Sequence, residues 1–177
     1  MKIIAINTSP SKNGNCGILL DEAIKGAQEN GNEVIKYDLT DLNINCCKAC
    51  NACATQPCIQ DDDAKKIITE IENADAVIFA TPIWFGYMSS LAKVFTDRFY
   101  QVFLNEQRNF SGKAAFIITS SAPENIYGDI DNQITGPFTS LGLENTGMVH
   151  AGEAPMHGAV KDKEEEINKA YSLGKNL

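Results

Sequence analysis

The densest chemistry in the sequence is a run of thiols. The segment Cys46-Cys47-Lys48-Ala49-Cys50-Asn51-Ala52-Cys53-Ala54-Thr55-Gln56-Pro57-Cys58 carries five of the six cysteines. From Cys47 onward the spacing is C-x2-C-x2-C-x4-C. So compact a run lets successive thiolates wrap one cubic [4Fe–4S] cluster. In two-cluster ferredoxins the last cysteine of a comparable run ligates the other cluster. Here no second cysteine group exists, which leaves Cys58 to close the same site. The candidate metal ligands are therefore Cys47, Cys50, Cys53 and Cys58, with Cys46 a bystander. Three other uses of these thiols stay open: a tetrahedral zinc site, a reversible disulfide pair, and thiols that bind nothing.

A second segment has the makings of an anion cradle. Asn7-Thr8-Ser9-Pro10-Ser11-Lys12-Asn13-Gly14-Asn15-Cys16 leads from an apolar strand into a helix. Hydroxyls, amides and backbone N–H groups can converge there on an anion at the helix N-terminus. The segment contains neither G-x-G-x-x-G nor G-K-[ST], so it matches neither common nucleotide fingerprint. Its neutral donors suit a phosphate monoester, with Lys12 adding charge at the rim. An ordinary polar loop with a helix cap would read the same way.

A third segment, Thr81-Pro82-Ile83-Trp84-Phe85-Gly86-Tyr87-Met88-Ser89, follows a buried strand and holds the chain's only Trp. Three aromatics there can pack on a large flat ring such as an isoalloxazine, while Gly86 admits close backbone approach. A core plug or a dimer contact is the alternative. Together with the phosphate cradle, a ring-plus-monophosphate ligand, FMN, accounts for both. Ser120 and Ser121 follow the next apolar run and offer small donors to the polar edge of such a ring. The candidate cofactor residues are Ser9, Ser11, Lys12, Asn15, Cys16, Pro82, Ile83, Trp84, Phe85, Gly86, Ser120 and Ser121.

These segments need elements to hold them. Lys2–Asn7, Glu33–Leu39, Ala76–Ala80, Lys113–Thr119 and Gly142–Ala151 read as strands, with Pro82 forcing a turn after the third. Helical spacing falls at Cys16–Asn30, ended by Gly31, and at Lys65–Asn73, capped by Asp63. It recurs at Leu91–Phe103, at Asp129–Leu141 with an interruption at Gly136-Pro137, and at Asp162–Leu173. Apolar strands alternating with amphipathic helices predict an α/β fold with a parallel sheet covered on both faces. Ligands of such sheets sit at the carboxyl ends of the strands, near the topological switch point. The loop between Leu39 and Asp63, which carries the thiols, is longer than compact domains usually tolerate without a function.

The chain has 177 residues, 44% apolar and 21% charged, with a net charge of −8. That length and composition predict one domain over residues 1–177, with the Cys-rich loop at about 40–62. An acidic surface repels phosphate backbones and anionic lipids, so nucleic acid and membrane partners are not expected. The apolar run of MKIIAIN is too short for a signal peptide, and a cytoplasmic location is expected.

The phosphate loop, the aromatic loop and the Ser90, Lys93, Asp97 and Arg98 that follow it resemble the NADPH-dependent FMN reductase family. Its loops have the forms G-S-P-R-x-x-G-N-[ST] and T-P-[IV]-Y-[WF]-G, followed by a Ser-x-x-Lys…Asp-Arg pattern. Ser11 stands where that loop has Arg, and Cys16 where it has a hydroxyl. The cysteine run is similar to that of the family's iron–sulfur flavoprotein branch. The resemblance implies a flavodoxin-like three-layer αβα sandwich with a five-stranded parallel sheet in the order 2-1-3-4-5. It also implies FMN, a [4Fe–4S] cluster in the long loop, and a homodimer or homotetramer. The implied activity is an FMN-dependent oxidoreductase passing electrons from ferredoxin or NAD(P)H to a small acceptor. A cluster-free NAD(P)H:FMN or quinone reductase, and a non-catalytic electron carrier or metal- and redox-sensing module, remain beside it. No catalytic acid or base is nominated, because flavin chemistry belongs to the cofactor. His150, His157, the acidic run Asp61-Asp62-Asp63 and the charged stretch Lys161–Glu166 read as structural.

Overall fold

The computed structural model describes all 177 residues. Its regular elements are, in chain order, β1 (Lys2–Asn7), α1 (Asn15–Glu29), β2 (Glu33–Asp38), α2 (Asp63–Glu72), β3 (Ala76–Trp84) and β4 (Tyr87–Met88). Then follow α3 (Ser90–Asp97), α4 (Tyr100–Phe103), β5 (Lys113–Thr119), α5 (Ile130–Thr139), β6 (Glu144–Ala151) and α6 (Glu164–Lys175). The long strands form one sheet in the order β2-β1-β3-β5-β6, every pair parallel. Setting aside the two-residue β4, which pairs antiparallel with the end of β3, this is the order the resemblance implied. β4 is a sixth strand that the sequence reading did not foresee.

The pattern of apolar residues explains the layering. The central strands β1, β3 and β5 are apolar through nearly their whole length and are buried on both faces, whereas the edge strand β2 is half-exposed. One face packs Ile3, Ala5 and Ile78 against Leu19, Leu20 and Ala23 of α1 and Ala170 of α6. The other packs Ile4, Val77 and Phe79 against Ile67 and Ile68 of α2, Phe95 of α3 and Phe138 of α5. The result is a flavodoxin-like three-layer αβα sandwich.

Some boundaries move for identifiable reasons. Pro82 does not end β3, which continues to Trp84. Pairing with β1 stops at Ala80, whose carbonyl accepts the Thr8 N–H, while pairing with β5 continues through Pro82. Residues two apart direct their backbone groups to the same side, so the missing N–H of Pro82 falls where β1 has already left the sheet. The helix expected over Leu91–Phe103 tightens at Arg98 and Phe99, whose N–H groups reach back only three residues, to Phe95 and Thr96. α5 runs through Pro137 rather than breaking. Phe138, fully buried against Phe79, Phe99 and Phe116 with ring centroids 4.7, 5.0 and 5.4 Å away, supplies the packing that offsets the lost hydrogen bond. The cap of α2 is Asp62, one residue before the expected Asp63, because the Asp62 side chain accepts the Lys65 N–H. No helix is long and apolar enough to cross a membrane.

Candidate functional site

The connections leaving β1 and β3 diverge, because the chain runs from β1 to β2 on one side and from β3 on toward β5 on the other. A cleft of about 790 Å³ opens there, inside the range typical of small-ligand sites. Every candidate cofactor residue lines it except Lys12.

The floor is the loop between β1 and α1. Asn7 anchors it: its side chain accepts the Ser9 N–H at 3.0 Å and donates to Asp38 at 2.8 Å. The Ser9 hydroxyl oxygen then accepts the Ser11 N–H at 3.2 Å. The loop lies so tightly on α1 that a Cβ on Gly17 would stand 1.8 Å from the Lys12 carbonyl oxygen, which only glycine allows. Gly14 is the residue before the helix, and no side chain caps it. The first-turn N–H groups of Asn15, Cys16 and Gly17 thus have no intrahelical carbonyl to meet and carry the positive end of the α1 dipole. No Lys or Arg lines the cleft. Lys12, expected at the rim, lies outside the cleft and pairs with Asp41, so the loop's surface toward the cleft is backbone and neutral side chains.

A buried network locks this floor to the aromatic wall. Thr8 donates both its N–H and its hydroxyl to the Ala80 carbonyl, at 2.9 and 2.8 Å. The Ser89 hydroxyl donates to the Thr8 carbonyl at 2.8 Å and accepts the Ala92 N–H, capping α3. The wall is a hairpin in which Trp84 pairs with Tyr87 across Phe85 and Gly86, at φ 50° and 81°. Two successive positive φ values define the tight turn that suits hairpins. Gly86 adopts one without cost, but Phe85 is a strained residue with a fully exposed ring. Trp84 is 55% exposed at the cleft edge. The hairpin thus leaves apolar surface exposed at the mouth of the cleft.

Cys16 sits at the bottom, fully buried, its Sγ 3.0 Å from the Thr119 hydroxyl. Burial pushes its thiol up to about 12, with the Thr119 hydrogen bonds pulling weakly the other way, so it stays neutral. Asn15 lines the cleft, and its side chain also reaches the loop after β6. Its amide donates to the carbonyls of Ala154 and Met156 at 2.9 and 3.0 Å, tethering the loop after β6 rather than offering those donors to a ligand. That loop closes the far wall with Ala154, Pro155, Met156 and His157, and Tyr127 joins it; of these the sequence analysis considers only His157, as structural. His157 Nδ1 lies 3.5 Å from the Ser11 hydroxyl. The one signal for the loop was its place at the carboxyl end of the last strand. Ser120 is held from behind, donating to the Ala122 carbonyl at 2.8 Å and standing 3.0 Å from His150 Nε2. Burial lowers the basicity of His150, against the smaller opposing pull of Glu124 and Asp131.

The cysteine loop forms a second locus. Cys47, Cys50, Cys53 and Cys58 line one small hollow together with Arg98 and Tyr100. All are free thiols. Burial pushes the Cys53 thiol up, and the nearby Cys58, Cys47 and Cys50 push it the same way. Ala49 and Asn51, between successive cysteines, both take positive φ, 48° and 58°. Such kinks turn consecutive side chains toward a common centre, at a backbone cost for Ala49. No three His, Cys, Asp or Glu side chains approach closely enough to hold a single metal ion.

A cleft at the carboxyl edge of a parallel sheet, with a neutral anion cradle at one end and an aromatic hairpin at the other, defines a flavodoxin-like mononucleotide-binding protein. The family model for NADPH-dependent FMN reductase matches residues 1–143. The chain belongs to that family and is an FMN-dependent oxidoreductase. It is similar to an iron–sulfur flavoprotein of Methanocaldococcus jannaschii, 30% identical over 186 residues that cover 100% of this chain and 95% of the relative. An iron–sulfur flavoprotein of Archaeoglobus fulgidus is 29% identical over 182 residues, 100% of this chain and 79% of the relative. The solved NAD(P)H:quinone oxidoreductase from Methanothermobacter marburgensis shares the fold, with a TM-score of 0.81, 19% identity, and coverage of 100% of this chain and 96% of that one.

Proposed function

We propose that the protein is an oxidoreductase of the iron–sulfur flavoprotein type, taking electrons from reduced ferredoxin or NAD(P)H and delivering them to a small acceptor at FMN. The reading rests on one observation: four thiols in C-x2-C-x2-C-x4-C spacing line a single hollow. The run is one compact series rather than the two separated ligand pairs that zinc sites more often use, so the set suits a [4Fe–4S] cluster better than zinc.

In this reading the N–H groups of Asn15, Cys16 and Gly17, with the Ser9 and Ser11 hydroxyls, hold the FMN phosphate. Trp84 packs along the ring while Ile83 and the backbone at Phe85 and Gly86 border it. Ser120 and Ser121 face its polar edge. FMN, when bound, supplies both hydride and single-electron chemistry. The residues bind and orient it, keep charged side chains away from its phosphate, and leave the Phe85 side open to an acceptor.

Purification without oxygen, followed by a visible spectrum and assays of iron and acid-labile sulfide, tests the reading. It predicts a brown protein containing iron, sulfide and FMN. Loss of iron with retention of FMN is expected when Cys47, Cys50, Cys53 or Cys58 becomes Ala. A yellow, iron-free protein that turns over NAD(P)H with quinone would leave the cluster-free reductase instead.

A further inference from the structure

Arg98, the last residue of the Ser-x-x-Lys…Asp-Arg pattern, is among the largest fully buried side chains in the molecule. Its carboxylate partner is Asp62, whose side chain is also completely buried. The guanidinium Nη1 donates to Asp62 and to the Asn45 carbonyl, the latter at 3.0 Å. Nη2 points elsewhere, donating to Cys58 Sγ at 3.4 Å. Asp62 in turn accepts the Asn45 N–H at 3.0 Å and caps α2. One ion pair therefore ties together both ends of the cysteine loop and aims a charged donor at one of its four candidate ligand thiols.

An ion pair serving only as a clamp would be satisfied by Asp62 and Asn45. Burying a guanidinium is costly, and an apolar pair of like volume often serves stability as well or better. Only the planar fork of Arg can serve a carboxylate and a second acceptor in different directions at once; a lysine ammonium has no such fork. The surplus donor falls on sulfur. Hydrogen bonds to ligating sulfurs stabilise the extra negative charge of a reduced cluster and so raise its potential.

We propose that Arg98 is a positioning residue that acts through Cys58: its Nη2–H donates to the ligating sulfur and raises the reduction potential of the cluster. The inference rests on the cluster reading above. Among the four thiols, Cys58 alone receives a side-chain donor, whereas Cys53 meets only its own backbone.

The test uses anaerobically reconstituted holoprotein, with iron and sulfide counted before any potential is read. An Asp62→Asn/Arg98→Gln double variant removes one negative and one positive charge together, so the local net charge is unchanged and the hydrogen bond is what is lost. The expected result is a full iron complement with a lower cluster midpoint in an EPR-monitored redox titration. A tenfold weaker hold on the electron corresponds to about 59 mV for a one-electron couple. An unchanged midpoint at full iron content overturns the role of Arg98 while leaving the cluster in place. A wild-type protein that takes up no iron defeats the cluster reading itself. Should the double variant lose its iron, the wild-type protein decides alone. With 15N-labelled arginine, pulsed EPR of the reduced cluster is expected to show a hyperfine coupling to guanidinium nitrogen. The only other arginine, Arg108, is bound to Glu72 and Gln101. Absence of that coupling refutes the proposal.

Discussion

Replacing Gly17 by Ala is expected to cost FMN affinity while sparing riboflavin. The added Cβ would meet the Lys12 carbonyl oxygen at 1.8 Å and its carbonyl carbon at 2.9 Å, where real Cβ contacts essentially never fall below 3.0 Å. The loop must then lift by at least 1.2 Å, the difference between 3.0 and 1.8 Å. A hydrogen bond of ordinary length does not survive such a shift. Each charge-assisted bond to the phosphate is worth about 1.5–3 kcal/mol, so losing one weakens binding roughly 10- to 140-fold. Helix propensity favours Ala over Gly by about 1 kcal/mol, which helps the variant fold and keeps the readout on the ligand. Fluorescence titration of apoprotein with FMN and with riboflavin measures the effect. Riboflavin carries the same ring without the phosphate and should bind both proteins alike. Unchanged FMN affinity, or equal losses for both ligands, would refute the argument that the Gly17 contact shapes a phosphate cradle.

Other outcomes follow from the same geometry. Lys12→Ala should leave FMN affinity within about twofold at ordinary salt, since an exposed pair like Lys12–Asp41 is worth little and Lys12 lies outside the cleft; a large loss would restore it as a phosphate ligand. Trp84→Ala should weaken FMN and riboflavin alike, by about 0.5–1.5 kcal/mol for the lost ring contact, and shift the visible flavin spectrum. Burial pushes the Asp62 carboxyl upward, but the bonds from Arg98 and the Asn45 N–H outweigh it and hold it below its ordinary 3.8. Its contribution to stability is therefore complete above 3.8 and lost as pH falls through the lowered folded-state value. Asp62→Asn should lower stability at neutral pH by about 3–5 kcal/mol, the usual cost of stranding one buried partner, and thermal unfolding below pH 4 should show less acid dependence than wild type.

The sheet was legible because its signals are local. Runs such as Ile3–Ile6, Ala76–Ala80 and Ala114–Ile118 announce buried strands, and their order in the chain alternates with helical spacing. The floor and the aromatic wall were legible for the same reason, each being one continuous segment at a strand's end. What could not be read depends on partners far apart in sequence. The exchange of roles between Lys12 and the α1 backbone needs Asp41 beside the loop. The diversion of the Asn15 amide needs Ala154 and Met156, and β3 continues past Pro82 only because β1 has left its flank. The family pattern marks Arg98 without showing what it meets, because its partners Asp62 and Cys58 lie about forty residues away. Propensity has no access to such pairings.

Crystals grown with FMN provide the most direct test of the ligand's place. The account predicts the phosphate against the N–H groups of Asn15, Cys16 and Gly17, with the ring along Trp84 and its polar edge toward Ser120. A phosphate bound away from the start of α1, or a ring lodged outside the Trp84–Gly86 hairpin, would contradict it.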